Sequence, residues 1–284
     1  MHHQAILLIS CPDQKGITAA ITGFIAAHGG NILHADQHID DQTNTFFMRI
    51  EWVLEGFTLK RHEICTAFEK IAKPFFMAWQ LHFTDDKPQI ALFVSKHLHC
   101  LYDLLYRYKA GQLNCDVKVI ISNHPDAKAL AGDFNIPFYE FIVTRENKIV
   151  QEEQQLAILN QYHIDLIVLA RYHQILSPHF VEAFKNKIIN IHHSFLPAFA
   201  GKNPYLQAYE KGVKLIGATS HYVTAELDQG PIIEQDTVRI SHRDSVEDLK
   251  QQGEDLEKIV LSRALRWVLD KKVLYYGNKT VVFD

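Results

Sequence analysis

The sequence predicts an α/β protein, a mostly parallel, Rossmann-like open sheet preceded by a small α+β domain of ferredoxin-like type. Three observations lead there. Strand-like and helix-like runs follow one another as β-α-β-β-α-β over residues 5–83, the order of a four-stranded antiparallel sheet with two helices on one face. From residue 89 onward, short apolar runs alternate with helical runs, the pattern of a parallel sheet covered on both faces. Between the two regions lies Asp85-Asp86-Lys87-Pro88, polar and strand-breaking. The expected division is residues 1–84, a linker at 85–88, and a second domain at 89–284.

In the first region, residues 5–10 read as a strand and Cys11 to Gly16 as a turn. Asp13 or Gly16 falls near the start of a helix over 17–27, where Ile17, Ile21, Phe24 and Ile25 recur at helical spacing. Gly29-Gly30 ends it. Residues 32–39 and 45–53 read as strands joined by the polar turn Asp40-Asp41-Gln42-Thr43-Asn44. A helix over 59–72 carries Ile64, Phe68 and Ile71 on its apolar side, and Pro74 stops it. A last strand covers 77–83.

The second region opens with a strand at 89–95 and a helix at 98–108. Strands follow at 115–122, 138–143, 165–170 and 188–192, with helices at 127–133, 150–162 and 178–184 between them. Pro178 suits the first turn of its helix. After Pro197 the pattern changes. A short helix at 205–211 leads to two longer strands, 214–223 and 231–240, joined by the loop 224–230. A long helix runs over 245–269, with a bend expected near Gly253, and a hairpin turning at Gly277-Asn278 closes 274–282.

Composition excludes several classes. The 284 residues are enough for two domains, and their 47% hydrophobic and 22% charged fractions are those of a globular protein. The net charge is −4 and neither region is basic, which argues against a nucleic-acid partner. The four cysteines form no Cys-x-x-Cys pair, so neither a disulfide scaffold nor a thiolate metal site is expected. No apolar run reaches the length of a membrane span, and the first residues lack the charged and apolar regions of a signal peptide. A cytoplasmic setting without membrane contact is the expectation. The loop after the first strand of the second region, Ser95-Lys96-His97-Leu98-His99-Cys100, contains no glycine. That disfavours close backbone approach to a pyrophosphate, and with it NAD or ATP.

The chemistry concentrates in Lys187-Ile188-Ile189-Asn190-Ile191-His192-His193-Ser194-Phe195-Leu196-Pro197. On a strand, residues two apart share a face, so Asn190 and His192 point to one side and His193 away. Asp228 sits in the turn between the two later strands, within Ala225-Glu226-Leu227-Asp228-Gln229-Gly230-Pro231. Spacing alone does not bring it to His192, but the three residue types suit one task. An amide donates to a developing oxyanion, an imidazole donates a hydrogen bond or a proton, and a carboxylate orients the imidazole or holds a water. His221, on the strand before the Asp228 loop, is a supporting candidate. There is no His-Glu-x-x-His for a metal and no Gly-x-Ser-x-Gly setting for Ser194.

Asn190 to Pro197, followed by Gly217-Ala218-Thr219-Ser220-His221-Tyr222-Val223 and Leu227-Asp228-Gln229-Gly230-Pro231-Ile232-Ile233, resembles the formyl transferase family that uses 10-formyltetrahydrofolate. The likeness covers roughly residues 89–284 and implies an open sheet of the formyltransferase type. Ser10-Cys11-Pro12-Asp13-Gln14-Lys15-Gly16 looks like the opening of an ACT-type regulatory domain. An ACT-type domain in front of a formyltransferase-like domain is the arrangement of the formyltetrahydrofolate deformylase family. The likeness extends to Leu169-Ala170-Arg171-Tyr172-His173-Gln174-Ile175-Leu176 and Asn203-Pro204-Tyr205-Leu206-Gln207-Ala208-Tyr209.

Carried over position by position, the resemblance implies catalytic Asn190, His192 and Asp228. It implies a folate pocket at His173, Gln174, Ile175 and Leu176, closed by Thr224, Ala225, Glu226 and Leu227, and a cis bond before Pro197. The implied reaction is hydrolysis of 10-formyltetrahydrofolate to formate and tetrahydrofolate. The folate is the substrate, with no metal and no further cofactor. The alternatives are transfer of the formyl group to an amine, for which Lys202 could bind an anionic acceptor or the folate tail, and a non-catalytic folate-binding regulatory protein. Two positions depart from the pattern. The 95–100 loop lacks the glycines with which amine transferases of this family hold a phosphate, and His173 stands where the deformylases tend to carry Met. The ACT-type domain implies a homo-oligomer and an amino-acid effector, glycine or methionine, near the Asp13 to Gly16 turn.

Overall fold

A computed structural model describes residues 3–198 and 204–283. The chain divides into two compact units, Met1–Lys87 with Asp270–Leu274 and Val281–Asp284, and Pro88–Leu269 with Tyr275–Thr280. The C-terminal stretch expected wholly in the second domain therefore contributes to both.

The first unit contains β1 (Gln4–Pro12), α1 (Ile17–Ala27), β2 (Asn31–Asp40), β3 (Thr45–Val53), α2 (Arg61–Ala72) and β4 (Ala78–Phe83). The strands lie in the order β2-β3-β1-β4, every pair antiparallel. Leu7, Ile9, Met48, Ile50 and Trp52 meet Ile21, Ile25, Ile64 and Phe68 of the helices in one core. Gly16 rather than Asp13 is the residue before α1. The Asp40 carboxylate accepts from the N–H groups of Gln42 and Thr43 at 2.8 and 3.1 Å, which builds the polar turn. β1 is buried almost throughout instead of on alternate residues. On β3, the buried Arg49 pairs with Glu51 at 2.8 Å and donates to the carbonyls of Asp270 and Lys271 at 3.3 and 3.0 Å.

The second unit contains β5 (Gln89–Val94), α3 (His99–Lys109), β6 (Asp116–Ser122), α4 (Lys128–Asp133), β7 (Phe138–Glu140), α5 (Lys148–Gln161), β8 (Leu166–Leu169), α6 (Pro178–Ala183), β9 (Ile188–His192), α7 (Pro204–Glu210), β10 (Leu215–Tyr222), β11 (Ile232–Arg239) and α8 (Val246–Leu269). Its seven strands run β11-β10-β9-β8-β5-β6-β7, and the five from β9 to β7 are parallel. β10 and β11 are antiparallel additions beside β9. The chain builds outward from β5 through β6 to β7, then returns to place β8 on the other side of β5. That reversal is the switch point where open α/β sheets hold ligands, at the carboxyl ends of the strands. A terminal hairpin pairs β12 (Val273–Tyr276) with β13 (Lys279–Val282).

Two expectations need correction. β7 stops at Glu140 rather than at residue 143, because it is an edge strand with β6 as its one neighbour. α8 runs as one helix through Gly253. The glycine is there for space, since a Cβ at this position would collide with the Tyr205 phenol.

Candidate active site

β9 brings the first two groups. Its residues Ile188, Ile189 and Ile191 are buried in the sheet, and Asn190 and His192 leave the same face near its carboxyl end. β10 runs antiparallel beside it and sets His221 directly opposite Asn190. The loop after β10 then folds back. Tyr222 N–H donates to the Pro231 carbonyl at 2.9 Å, and Thr224 Oγ1 donates to the Glu226 carbonyl at 3.0 Å. Gly230 lies so close to the Tyr222 carbonyl that any side chain there would collide with it. The two ends of the loop are thus pinned together, and Asp228 near its tip turns inward with φ of 55°.

These placements bring the three groups together. Asp228 Oδ2 lies 3.4 Å from His192 Nδ1, and Oδ1 lies 3.8 Å from His221 Nε2. Asn190 Nδ2 lies 3.2 Å from His221 Nε2. The other ring nitrogen of His221 is 2.9 Å from the Tyr222 carbonyl, which can only accept, so Nδ1 carries the proton. Burial pushes the His221 pKa down and keeps the ring neutral, which leaves Nε2 as an acceptor for the Asn190 amide. One amide N–H is spent there and the other remains for a ligand. The hydrogen bond from His192 holds the Asp228 carboxyl below its ordinary range despite partial burial. His192 is itself buried, and its Nε2 has no partner among the described residues. A buried polar atom left unpaired costs stability, so it marks a place prepared for something else.

All of this faces a cavity of about 620 Å³. His173, Gln174, Ile175 and Leu176 line it from the segment after β8, and Thr224, Ala225 and Leu227 from the Asp228 loop. Glu226, expected with them, is exposed and is not part of the lining. Ala225 and Leu227 are exposed as well, so the stretch is an open rim of the cavity, and Glu226 is the one of the four that does not line it. His193 corrects a second expectation, for it lines the cavity too and its ring sits 5.1 Å from that of His192. Alternation does not reach it, because β9 ends at His192. Its imidazole is pushed down to about 3 by burial and by the charge of Arg171. The Leu196–Pro197 bond is cis, as expected. Lys202 and Asn203 lie outside the described residues.

One group beside the cavity was not anticipated. Glu257 of α8 is fully buried, and its carboxylate is 2.7 Å from His99 Nε2, 2.6 Å from Tyr205 Oη and 3.3 Å from Arg171 Nε. With Cys100, His99 and Glu257 place three possible metal donors within 4.8 Å of one another. The donor set does not suit a cation, since the Arg171 guanidinium already faces the same carboxylate and burial holds Cys100 as a neutral thiol. A signal for Glu257 was present in the sequence. It falls within the apolar stripe of Gly253, Leu256, Val260, Leu261 and Ala264, where a charge has no ordinary place.

Known proteins share this architecture. The family described as formyl transferase matches residues 88–265, and the ACT domain family matches 5–72. Formyltetrahydrofolate deformylase of Synechocystis sp. is 56% identical over 279 residues, 98% of either chain. That of Bacillus subtilis is 49% identical over 279 residues, 98% of this chain and 93% of its own. The crystal structure of a formyltetrahydrofolate deformylase from Pseudomonas syringae pv. tomato matches with a TM-score of 0.98 at 44% identity, covering 100% of this chain and 95% of that one. By sequence over almost its whole length and by fold, the chain belongs to the formyl transferase family and, within it, to the formyltetrahydrofolate deformylases, which are hydrolases.

Proposed function

We propose that the chain hydrolyses 10-formyltetrahydrofolate to formate and tetrahydrofolate, with Asn190, His192 and Asp228 as its catalytic residues. The observation that carries this reading is the buried, unpartnered Nε2 of His192 beside an Asn190 amide with one N–H to spare, both facing the 620 Å³ cavity. Two donors on one side of a cavity suit an oxygen that gains negative charge.

The steps follow from that geometry. Folate occupies the part of the cavity lined by 173–176 and by the Asp228 loop. Asp228 accepts a proton from a water molecule as its oxygen attacks the formyl carbon. The carbonyl electrons move to the formyl oxygen, and His192 Nε2–H and the free Asn190 N–H hold the charge. The tetrahedral species collapses, the C–N10 bond breaks, and N10 leaves with a proton supplied through His192. Asp228 and the formic acid so formed give up their protons as formate departs, one of them returning to His192 and the other passing to solvent. His221 keeps the Asn190 amide facing the oxyanion. The folate is consumed as substrate, and the reading needs no metal or additional cofactor.

The wider reading places the enzyme in the cytoplasm as a homo-oligomer, with an amino acid, glycine or methionine, acting at the ACT domain. The presence of that domain supports an effector of this kind. Among the described residues, no helix is long and apolar enough to cross a membrane.

A stoichiometry assay tests the proposal. Purified protein is incubated with 10-formyltetrahydrofolate in buffer alone, and formate and tetrahydrofolate are followed together. Equal release of both is the expected result. Tight folate binding with no formate would replace the reading by transfer to an amine acceptor.

A further inference from the structure

Residues 171–177, between β8 and α6, form one wall of the cavity and are neither helix nor strand. The backbone groups of Gln174, Ile175 and Leu176 make no hydrogen bond among the described residues, so nothing inside the segment fixes its course. It is fixed from outside, at both ends. Just after β5, the buried Ser95 donates its N–H to the Arg171 carbonyl at 3.2 Å, and its hydroxyl accepts from the His173 N–H at 3.0 Å and donates to Asn123 Oδ1 at 2.6 Å. At the far end, Glu152 of α5 accepts from the Ser177 N–H at 3.0 Å, and the Ser177 hydroxyl in turn caps α6 by accepting from the Phe180 N–H at 3.2 Å. Between them, Gln155 donates to the Tyr172 hydroxyl at 3.4 Å, and the Tyr172 ring meets Phe93 edge-on at 5.2 Å.

Glu152 is the unusual member of this set. It is 4% exposed, on the buried face of α5 beside Leu156 and Leu159, and it does not line the cavity. Its Oε2 has no hydrogen-bond partner among the described residues, and Lys148 Nζ lies 3.9 Å from its Oε1. A buried carboxylate is costly, and an apolar side chain would fill the same place at less cost. What the carboxylate supplies and an apolar group cannot is an acceptor for the Ser177 N–H. That bond is charge-assisted, and it sits where the chain leaves the cavity wall for α6.

We propose that Glu152 is a positioning residue for substrate binding, which with Ser95 at the opposite end clamps residues 171–177 and keeps the backbone of Gln174, Ile175 and Leu176 ordered and open to the folate. The inference rests on the reading above, in which folate lies along residues 173–176, and deepens it. A wall clamped in advance leaves little to be ordered when the substrate arrives, so the clamp acts on affinity. Asn190, His192 and Asp228 stand on β9 and on the loop after β10, so a substrate once seated meets them unaltered. Loss of the clamp should therefore appear in KM and not in kcat.

The test compares the full chain with Glu152→Leu, which cannot accept a hydrogen bond, and Glu152→Gln, which still can. Tetrahydrofolate is the binding probe, titrated by calorimetry, and KM and kcat are measured with 10-formyltetrahydrofolate. In the Leu variant Kd and KM are expected to rise about tenfold, the scale of one lost hydrogen bond to a charged group, with kcat within about twofold. The Gln variant should stay close to the unaltered protein in all three. Amide exchange of the 171–177 peptide should quicken in the Leu variant and return in the Gln variant. A Leu variant that binds tetrahydrofolate normally would overturn the proposal, whatever its melting temperature, and so would a Gln variant as weak as Leu. If the Leu variant does not fold, Ser95→Ala makes the same comparison at the other end, and unchanged binding there would overturn the clamp. Failure of the hydrolytic reading would look different. No formate would be released by any of the proteins, and the Kd comparison would still decide the role of Glu152. If tetrahydrofolate does not bind even the unaltered chain, the folate reading falls, and amide exchange alone decides whether Glu152 orders the segment.

Discussion

Two carboxylates in the second unit stand within a few ångströms of histidines, and they are held in opposite ways. Asp228 sits on a loop, its side chain 19% exposed, facing two imidazoles at 3.4 and 3.8 Å. Beside it, His192 Nε2 is left unpaired. Glu257 sits on a long helix with no exposure, one oxygen hydrogen-bonded to Tyr205 and the other to His99, with Arg171 Nε 3.3 Å away as an ion pair without a hydrogen bond. Each cluster keeps one buried N–H or ring nitrogen without a partner among the described residues, but at Glu257 both carboxylate oxygens already accept a hydrogen bond from a neighbouring side chain. Spare capacity inside a cavity is what a reacting molecule can use, whereas a carboxylate whose two oxygens are both engaged away from the cavity serves to position its neighbours.

Substitutions at the two acids should separate these roles. Asp228→Asn is expected to lower kcat by about 10² to 10⁴ while leaving KM and unfolding free energy nearly unchanged. Rapid-quench formate release and urea titration would check both halves, and a normal kcat would remove Asp228 from the chemistry. Glu257→Ala should show the reverse emphasis. It strands Arg171 in a half-buried wall and should cost about 3–5 kcal/mol of stability, read from urea unfolding. A loss below roughly 1 kcal/mol, the range of an exposed pair, would mean that water reaches the cluster freely.

A smaller effect lies between the two clusters and the surrounding histidines. His221→Phe deprives the Asn190 amide of its acceptor and should reduce kcat by up to about 10²-fold through misplacement of the donor. His221→Gln, which can still accept, should recover part of the loss, and equal kcat values for the two variants would refute the positioning role. The smallest effect concerns pH. His193 is held neutral down to about 3, whereas an imidazole in the unfolded chain takes a proton near pH 6.5. Between those values the unfolded state binds the extra proton, so stability declines as pH falls below about 6.5. His193→Gln should flatten that decline between pH 7 and 5 in denaturant titrations, and an unchanged slope would show that His193 is not its source.

Local pattern made much of this molecule readable before any coordinates. Period-two alternation put Asn190 and His192 on one face, and β9 does place them so. Element order disclosed a four-stranded antiparallel sheet and a larger, mainly parallel one. What local pattern could not reach was proximity across the chain. Asp228 meets His192 only because the β10 register and the pinned 224–230 loop return it there, and neither is encoded at short range. Glu226 was misplaced for the same reason, since a loop has no period from which to read direction. The rule of alternation failed at His193 because it holds only while the strand lasts. Glu257 stood in plain view as a charge on an apolar helical stripe, yet its partners His99, Arg171 and Tyr205 are 158, 86 and 52 residues away.

The left-handed backbone of Asp228 has a consequence for anyone who randomises this position. With φ of 55°, a residue there must tolerate a conformation that Gly, Asn and Asp adopt with least difficulty. Most of the other replacements would alter loop geometry and side-chain chemistry in the same stroke. A saturation library at codon 228 would therefore return a steep, nearly uniform landscape of failures that says little about protons. Within it, the comparison of Asp with Asn is the one that changes charge while leaving the curve of the chain alone.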